Sequence, residues 1–111
     1  MQIRAVVADD IDTVVAFWRD VFPEYNDPAR PQRDPRTNFV RKLAFGDDLF
    51  WLATDDGAVV GTVMAGYDGH RGWIYSLGVD RGRRDHGIGR ALLAHAEDAL
   101  RERGCPKVNV Q

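Results

Sequence analysis

A chain of 111 residues suffices for one domain and is too short for two. Its 44% hydrophobic and 29% charged residues are an ordinary globular mix, which excludes collagen-like, coiled-coil and disordered chains. The formal net charge of −2 hides an asymmetry: residues 1–70 hold 7 basic and 12 acidic groups, residues 71–111 hold 8 basic and 5 acidic. The basic excess gathers at Arg81, Arg83, Arg84 and Arg90, with Asp80 and Asp85 among them. A local basic cluster in an acidic chain fits a small anionic ligand or a solvated loop. A nucleic-acid partner is not expected, because such proteins carry a broad basic face. One cysteine, Cys105, excludes an internal disulfide and a cysteine-rich zinc site. The N-terminus is charged at Arg4, unlike a signal peptide, and no apolar run nears the ~20 residues of a membrane span. A cytoplasmic setting and no membrane partner are therefore expected.

Met1 to Val7 alternates weakly and predicts a first strand. Asp9 is placed to cap a helix in which Ile11, Val14, Val15, Trp18, Val21 and Phe22 recur at helical spacing, and Pro23 stops it. A proline-rich loop over residues 23–37 follows. Asp34 before Pro35 starts a second helix whose apolar face is Phe39, Val40, Leu43 and Ala44, with Gly46 as its stop. Three strand signals come next: Leu49 to Thr54, Ala58 to Tyr67 and Trp73 to Val79. The first turn is Asp55-Asp56-Gly57 and the second runs from Asp68 to Gly72. Gly78 within the third strand marks a bulge or a close backbone approach. The period then changes: Ile88, Leu92, Ala96 and Ala99 form a helical stripe with Leu93 and Leu100 beside it, ended by Gly104 and Pro106. Lys107 to Gln111 begins a last strand. The order is β-α-α-β-β-β-α-β. Tight turns make the middle strands antiparallel and the helical crossover makes the final pair parallel.

The stretch LGVDRGRRDHGIGRA, from Leu77 to Ala91, carries the chemistry. A strand runs into a loop with glycines at 82, 87 and 89, and the loop opens a helix. Unpaired first-turn N–H groups and the helix dipole make this an anion cradle. Arg84, Arg90 and Arg83 can add charge-assisted contacts. The mononucleotide loop fails, because Ile88-Gly89 stands where Lys and Ser or Thr belong. The dinucleotide fingerprint fails too, with Leu92 in place of its third glycine.

Arg84-Asp85-His86-Gly87-Ile88-Gly89 matches Arg/Gln-x-x-Gly-x-Gly/Ala, and the chain thereby resembles the Gcn5-related N-acetyltransferase (GNAT) family. The preceding Leu77-Gly78-Val79, the long helix and the Gly104-Cys105-Pro106 ending match as well. Tyr25-Asn26-Asp27-Pro28, Gly61-Thr62-Val63-Met64 and the run Tyr67 to Gly72 are similar to a bacterial YpeA-like acetyltransferase subgroup. The resemblance spans essentially the whole chain. It implies a three-layer α/β/α fold of the mixed α+β class, with a mostly antiparallel sheet, binding acetyl-CoA.

On that resemblance the N–H groups of Asp85, His86, Gly87, Ile88, Gly89 and Arg90, with the Arg84 side chain, hold a pyrophosphate. Leu77 and Val79 pair with the pantetheine arm, Gly78 lies at the splay of two strands, and the Val79 N–H is an oxyanion-type donor. The implied reaction is attack of a primary amine on the thioester in a ternary complex, the amine belonging to a small molecule or a peptide. The resemblance also implies a further helix and two strands after Lys107–Gln111, absent from these 111 residues. That helix supplies a tyrosine acid, and no residue here matches it. Gln111 falls where some members place a glutamate base. No catalytic acid or base is assigned. A coenzyme A-binding module without turnover is the alternative. The exposed final strand edge adds the expectation of a homodimer.

Tyr25 and Asn26, in the proline-rich loop, are candidates for the acceptor pocket, a plain surface loop being the other reading. Tyr75 borders the coenzyme arm or faces the helix layer. Trp18, Trp51 and Trp73 are expected in the core. His70, His86 and His95 are too scattered for a metal site, and none is expected. Cys105 reads as a small buried residue.

Overall fold

The computed structural model describes residues 1–110. Its elements are β1 (Gln2–Ala5), α1 (Ile11–Val21), α2 (Pro35–Phe45), β2 (Phe50–Asp55), β3 (Ala58–Tyr67), β4 (Gly72–Val79), α3 (Ile88–Glu102) and β5 (Val108–Val110). Short 3-10 turns occupy Ala8–Asp10, Pro23–Asn26 and Arg81–His86. The sequence-based order is reproduced. Gln111, the position considered for a base, lies outside the described residues.

Among the described residues five strands form one sheet in the order β1-β2-β3-β4-β5. The first three pairings are antiparallel and β4–β5 is parallel, as tight turns and a helical crossover require. Strand alternation sorts side chains to two faces. Trp51, Ala53, Val63, Ala65 and Ile74 meet Ile88, Leu92, Ala96 and Leu100 of α3. Phe50, Leu52 and Met64 meet Val14, Trp18 and Val21 of α1 and Phe39 of α2. Across that second face Trp18 stacks on Phe50 at 5.7 Å, and its indole N–H donates to Thr62 Oγ1 at 2.9 Å, satisfying two buried polar groups together.

The second helix starts and stops as its residues dictate. Asp34 accepts the Thr37 N–H at 3.2 Å, Pro35 takes the first turn, and Gly46 closes the helix in the left-handed region. The Asp56-Gly57 turn has positive φ at both residues, which suits the twist of a hairpin.

Several expectations are corrected. Asp9 does not cap α1: it lies inside the 3-10 turn, and the acid that matters is Asp10. Asp10 accepts the Val7 N–H and both guanidinium nitrogens of Arg4, each at 2.8 Å. The buried face of α2 is Pro35, Phe39 and Lys42, while Val40 and Ala44 are exposed. Lys42 is buried because its ammonium has partners: the Asp47 carboxylate at 2.8 Å, the Ala65 carbonyl at 2.6 Å and the Tyr75 hydroxyl at 3.1 Å. On α3, Leu100 continues the buried stripe and Ala99 flanks it. Trp73 is half-buried and lines a surface cleft, unlike Trp18 and Trp51. The bulge in β4 falls at Ser76–Leu77, not at Gly78: pairing steps from Thr62↔Gly78 to Met64↔Tyr75. Ser76 takes a left-handed φ of 54° there. Gly78 answers to packing instead, since a Cβ on it would stand 2.7 Å from Phe22 Cζ.

Candidate functional site

The end of β4 and the start of α3 frame a cleft of about 610 Å³. Asp80 N–H donates to Val60 O at 2.8 Å, so the facing residues Gly61 and Val79 form a pair without mutual hydrogen bonds. The N–H and C=O of Val79 therefore project away from β3. Arg84 Nε, donating to the Val79 carbonyl at 3.4 Å, lies on that side. Leu77 shares it by alternation. Among the described residues β5 pairs with β4 over Gly72–Ile74, which leaves the Leu77–Val79 edge open to the cleft.

The opposite wall is the loop and first turn of α3. Gly87, in the left-handed region with φ 76°, turns the chain out of the 3-10 segment and into the helix. The helical ladder begins with Ala91 N–H on Gly87 C=O at 3.0 Å, so the N–H groups of the preceding turn lie outside it and carry the dipole's positive end. A Cβ on Gly87 would meet nothing within 4 Å, and one on Gly89 would come within 3.3 Å of Val79 Cγ2. Bare backbone thus faces the cleft at both positions.

Charge follows the same arrangement. Arg83 is bound to Asp80 at 3.2 Å and to Asp55 at 3.6 Å, so it is not the free cation the sequence offered. Arg81 donates to the Asp20 carbonyl. Arg84 and Arg90 belong to none of the ion pairs of the described residues, and both line the cleft. Backbone donors and two unpaired guanidinium groups converging on bare glycine backbone fit a diphosphate.

Of the ten residues singled out from the sequence, Leu77, Gly78, Val79, Arg84, Asp85, Gly87, Gly89 and Arg90 line this cleft. His86 is exposed outside the lining, and the Ile88 side chain is buried against the sheet, leaving its backbone as the part available. Val21 and Phe22, at the end of α1, complete the wall and were missed. Their signal was Gly78, whose missing side chain leaves the space Phe22 fills.

The acceptor-side candidates sit on the α1–α2 face. Tyr25 is half-buried, stacked on Trp18 at 5.9 Å, and its hydroxyl accepts from Asn38 Nδ2 at 2.9 Å. Burial raises its phenol above the ordinary value of 10. Asn26 is exposed and closes α1, donating to the Arg19 carbonyl at 2.7 Å. Tyr75 faces the helix layer, with its hydroxyl toward Ala65 and Gly66. Those residues pair with Ile74 and Trp73, so the hydroxyl leans away from Val79. His70 lies in a turn and His95 packs edge-on to Trp51 at 5.2 Å. Among the described residues no three His, Cys, Asp or Glu side chains gather as a metal ion would need.

Comparison with known proteins gives a consistent picture. A model of the acetyltransferase (GNAT) family matches residues 12–111. An acetyltransferase of Sodalis glossinidius is 44% identical over 110 residues, covering 99% of this chain and 74% of the relative. The crystal structure of a GCN5-related N-acetyltransferase from Ralstonia eutropha is similar at a TM-score of 0.75 and 28% identity, over 99% of this chain and 82% of that one. A predicted acetyltransferase from Clostridium acetobutylicum, solved with acetyl-CoA, shares the fold at a TM-score of 0.77 and 17% identity, over 99% and 79%.

Proposed function

The chain belongs to the acetyltransferase (GNAT) family and is an acyltransferase, and from that premise we propose that it moves an acetyl group from acetyl-CoA to a primary amine by direct attack in a ternary complex. The observation that carries this reading is the pairing of two features across one cleft: the open Leu77–Val79 strand edge and the first turn of α3 with unpaired Arg84 and Arg90. Bound acetyl-CoA would supply a thioester, an acyl group already activated toward a neutral amine.

The chain's own residues divide the remaining work. First-turn N–H groups from Gly87 to Arg90, with Arg84 and Arg90, hold and neutralise the diphosphate. The Leu77 and Val79 backbone offers donors and acceptors to an extended amide-bearing arm, as an edge strand does. The Val79 N–H, directed away from β3, is the donor for charge that develops on a carbonyl oxygen. Gly78 and Phe22 close the strand's other face, so the arm is held from one side.

Calorimetric titration with acetyl-CoA and with ATP tests the reading, followed by thiol release across a panel of primary amines. Selective binding of acetyl-CoA with amine-dependent thiol release is expected. Absence of coenzyme binding at millimolar concentration would remove the reading altogether. Binding without thiol release for any amine would make the chain a coenzyme A-binding module.

A further inference from the structure

Beside the coenzyme cleft lies a smaller hollow of about 200 Å³, walled by Phe22, Glu24, Tyr25, Ser76 and Leu77. It shares Phe22 and Leu77 with the larger cleft, so the two spaces meet at the bulged segment of β4. Its lining brings together one carboxylate and two aromatic rings. Phe22 and Tyr25 meet edge-on, with centroids 6.1 Å apart and planes at 74°.

The wall is held in place from behind. Tyr25 is stacked on Trp18 and bonded by Asn38. The turn Pro23–Asn26 that presents Glu24 is tied to α1 at two points: Asn26 to the Arg19 carbonyl, and Arg19 to the Tyr25 carbonyl at 3.2 Å. Neighbouring acids are already matched: Asp27 with Arg30, Asp34 with Arg19, Asp47 with Lys42 and Asp80 with Arg83. Glu24 belongs to none of the ion pairs of the described residues.

An ammonium group is the ligand that uses such a lining. It is drawn to a carboxylate by charge and to ring faces by the aromatic quadrupole. We infer that this hollow receives the primary ammonium of the acceptor, with Glu24 as its counter-charge and Phe22 and Tyr25 as its aromatic walls. The inference rests on the N-acetyltransferase reading for its place in the reaction. It assigns acceptor recognition to the 3-10 turn after α1. The ammonium can come from a free amine, a lysine side chain or a peptide N-terminus, all of which share this chemistry.

Binding is tested with isotope-labelled protein titrated separately with benzylamine, Nα-acetyl-lysine amide and trialanine amide at neutral pH. Backbone amide shifts at Tyr25, Ser76 and Leu77 are expected with at least one of them, and the best of the three identifies the source. Glu24→Gln should weaken that binding about fivefold. Glu24→Asp should retain most of it, and the remaining amide spectrum of both variants should be unchanged. Equal affinity in Glu24→Gln, shifts confined to other residues, or no shift with any of the three amines would overturn the inference. Calorimetry with acetyl-CoA on the same samples separates the two readings: Glu24→Gln should bind it as tightly as the unsubstituted chain. Failure of both proteins to bind it would count against the coenzyme cleft and not against the ammonium hollow.

Discussion

The coenzyme-side cleft and the hollow beside it are built from different materials. The cleft is largely main chain: an open strand edge, a helix N-terminus and two glycines, with side-chain charge added at Arg84 and Arg90. The hollow is side chain: a carboxylate and two rings, held by Trp18, Asn38 and Asn26. A main-chain site tolerates most changes in side-chain identity and fails when bulk or negative charge enters it. A side-chain site can be retuned residue by residue without moving the strand or helix. On the proposed reading, this lets one coenzyme site serve many acceptors.

The largest expected effect breaks the support of the side-chain wall. Trp18 is fully buried between Phe39, Phe50 and Tyr25, and Trp18→Ala should cost about 3–5 kcal/mol in chemical denaturation. A loss below ~1 kcal/mol would show that the aromatic cluster does not hold this face.

Next comes Gly89→Glu, which puts a carboxylate into the cradle beside Val79. Acetyl-CoA affinity should fall at least ~100-fold, or about 2.7 kcal/mol, by calorimetry, with folding retained. Unchanged affinity would mean that the anion seat is elsewhere. Arg84→Ala should be milder, because the backbone donors remain. A loss of about tenfold is expected, smaller at high salt, with benzylamine binding unaffected.

The smallest effect concerns neither site. The Arg4 guanidinium, through its paired hydrogen bonds, holds the Asp10 carboxyl below its ordinary 3.8. The stabilisation is fully present above that ordinary value and is lost as the pH falls through the lower folded-state value. Asp10→Asn should therefore cost under ~1 kcal/mol at neutral pH, and the gap should close toward about pH 2. Denaturation curves of both proteins across that range check it. A gap that widens in acid would contradict the sign.

Much of the fold was legible because local signals and packing agree. The Asp34-Pro35 start, the Gly46 stop, the Asp56-Gly57 turn and the α3 stripe are short-range signals obeyed without conflict. Reading failed where a distant partner decides. Lys42 counts as polar in any pattern, yet Asp47, Ala65 and Tyr75 allow its burial and turn the α2 face toward it. Trp73 is apolar, yet it falls where no helix covers the start of β4, so it stays half-buried. The bulge at Ser76 has no sequence signature, because serine seldom takes a left-handed φ. The candidate sites divide the same way. Glycine spacing announces a main-chain cradle, since few other reasons place Gly87 and Gly89 at a helix start. Phe22, Glu24 and Tyr25 look like any loop until the fold sets them against Leu77.

The most direct measurement follows the backbone amides of labelled protein during titration with acetyl-CoA. The largest shifts are expected at Val79, Gly87, Gly89 and Arg90, with Tyr67 and Trp73 unmoved. Saturable binding whose shifts bypass Val79 and the first turn of α3, or no binding at all, would contradict the assignment of this cleft to the coenzyme.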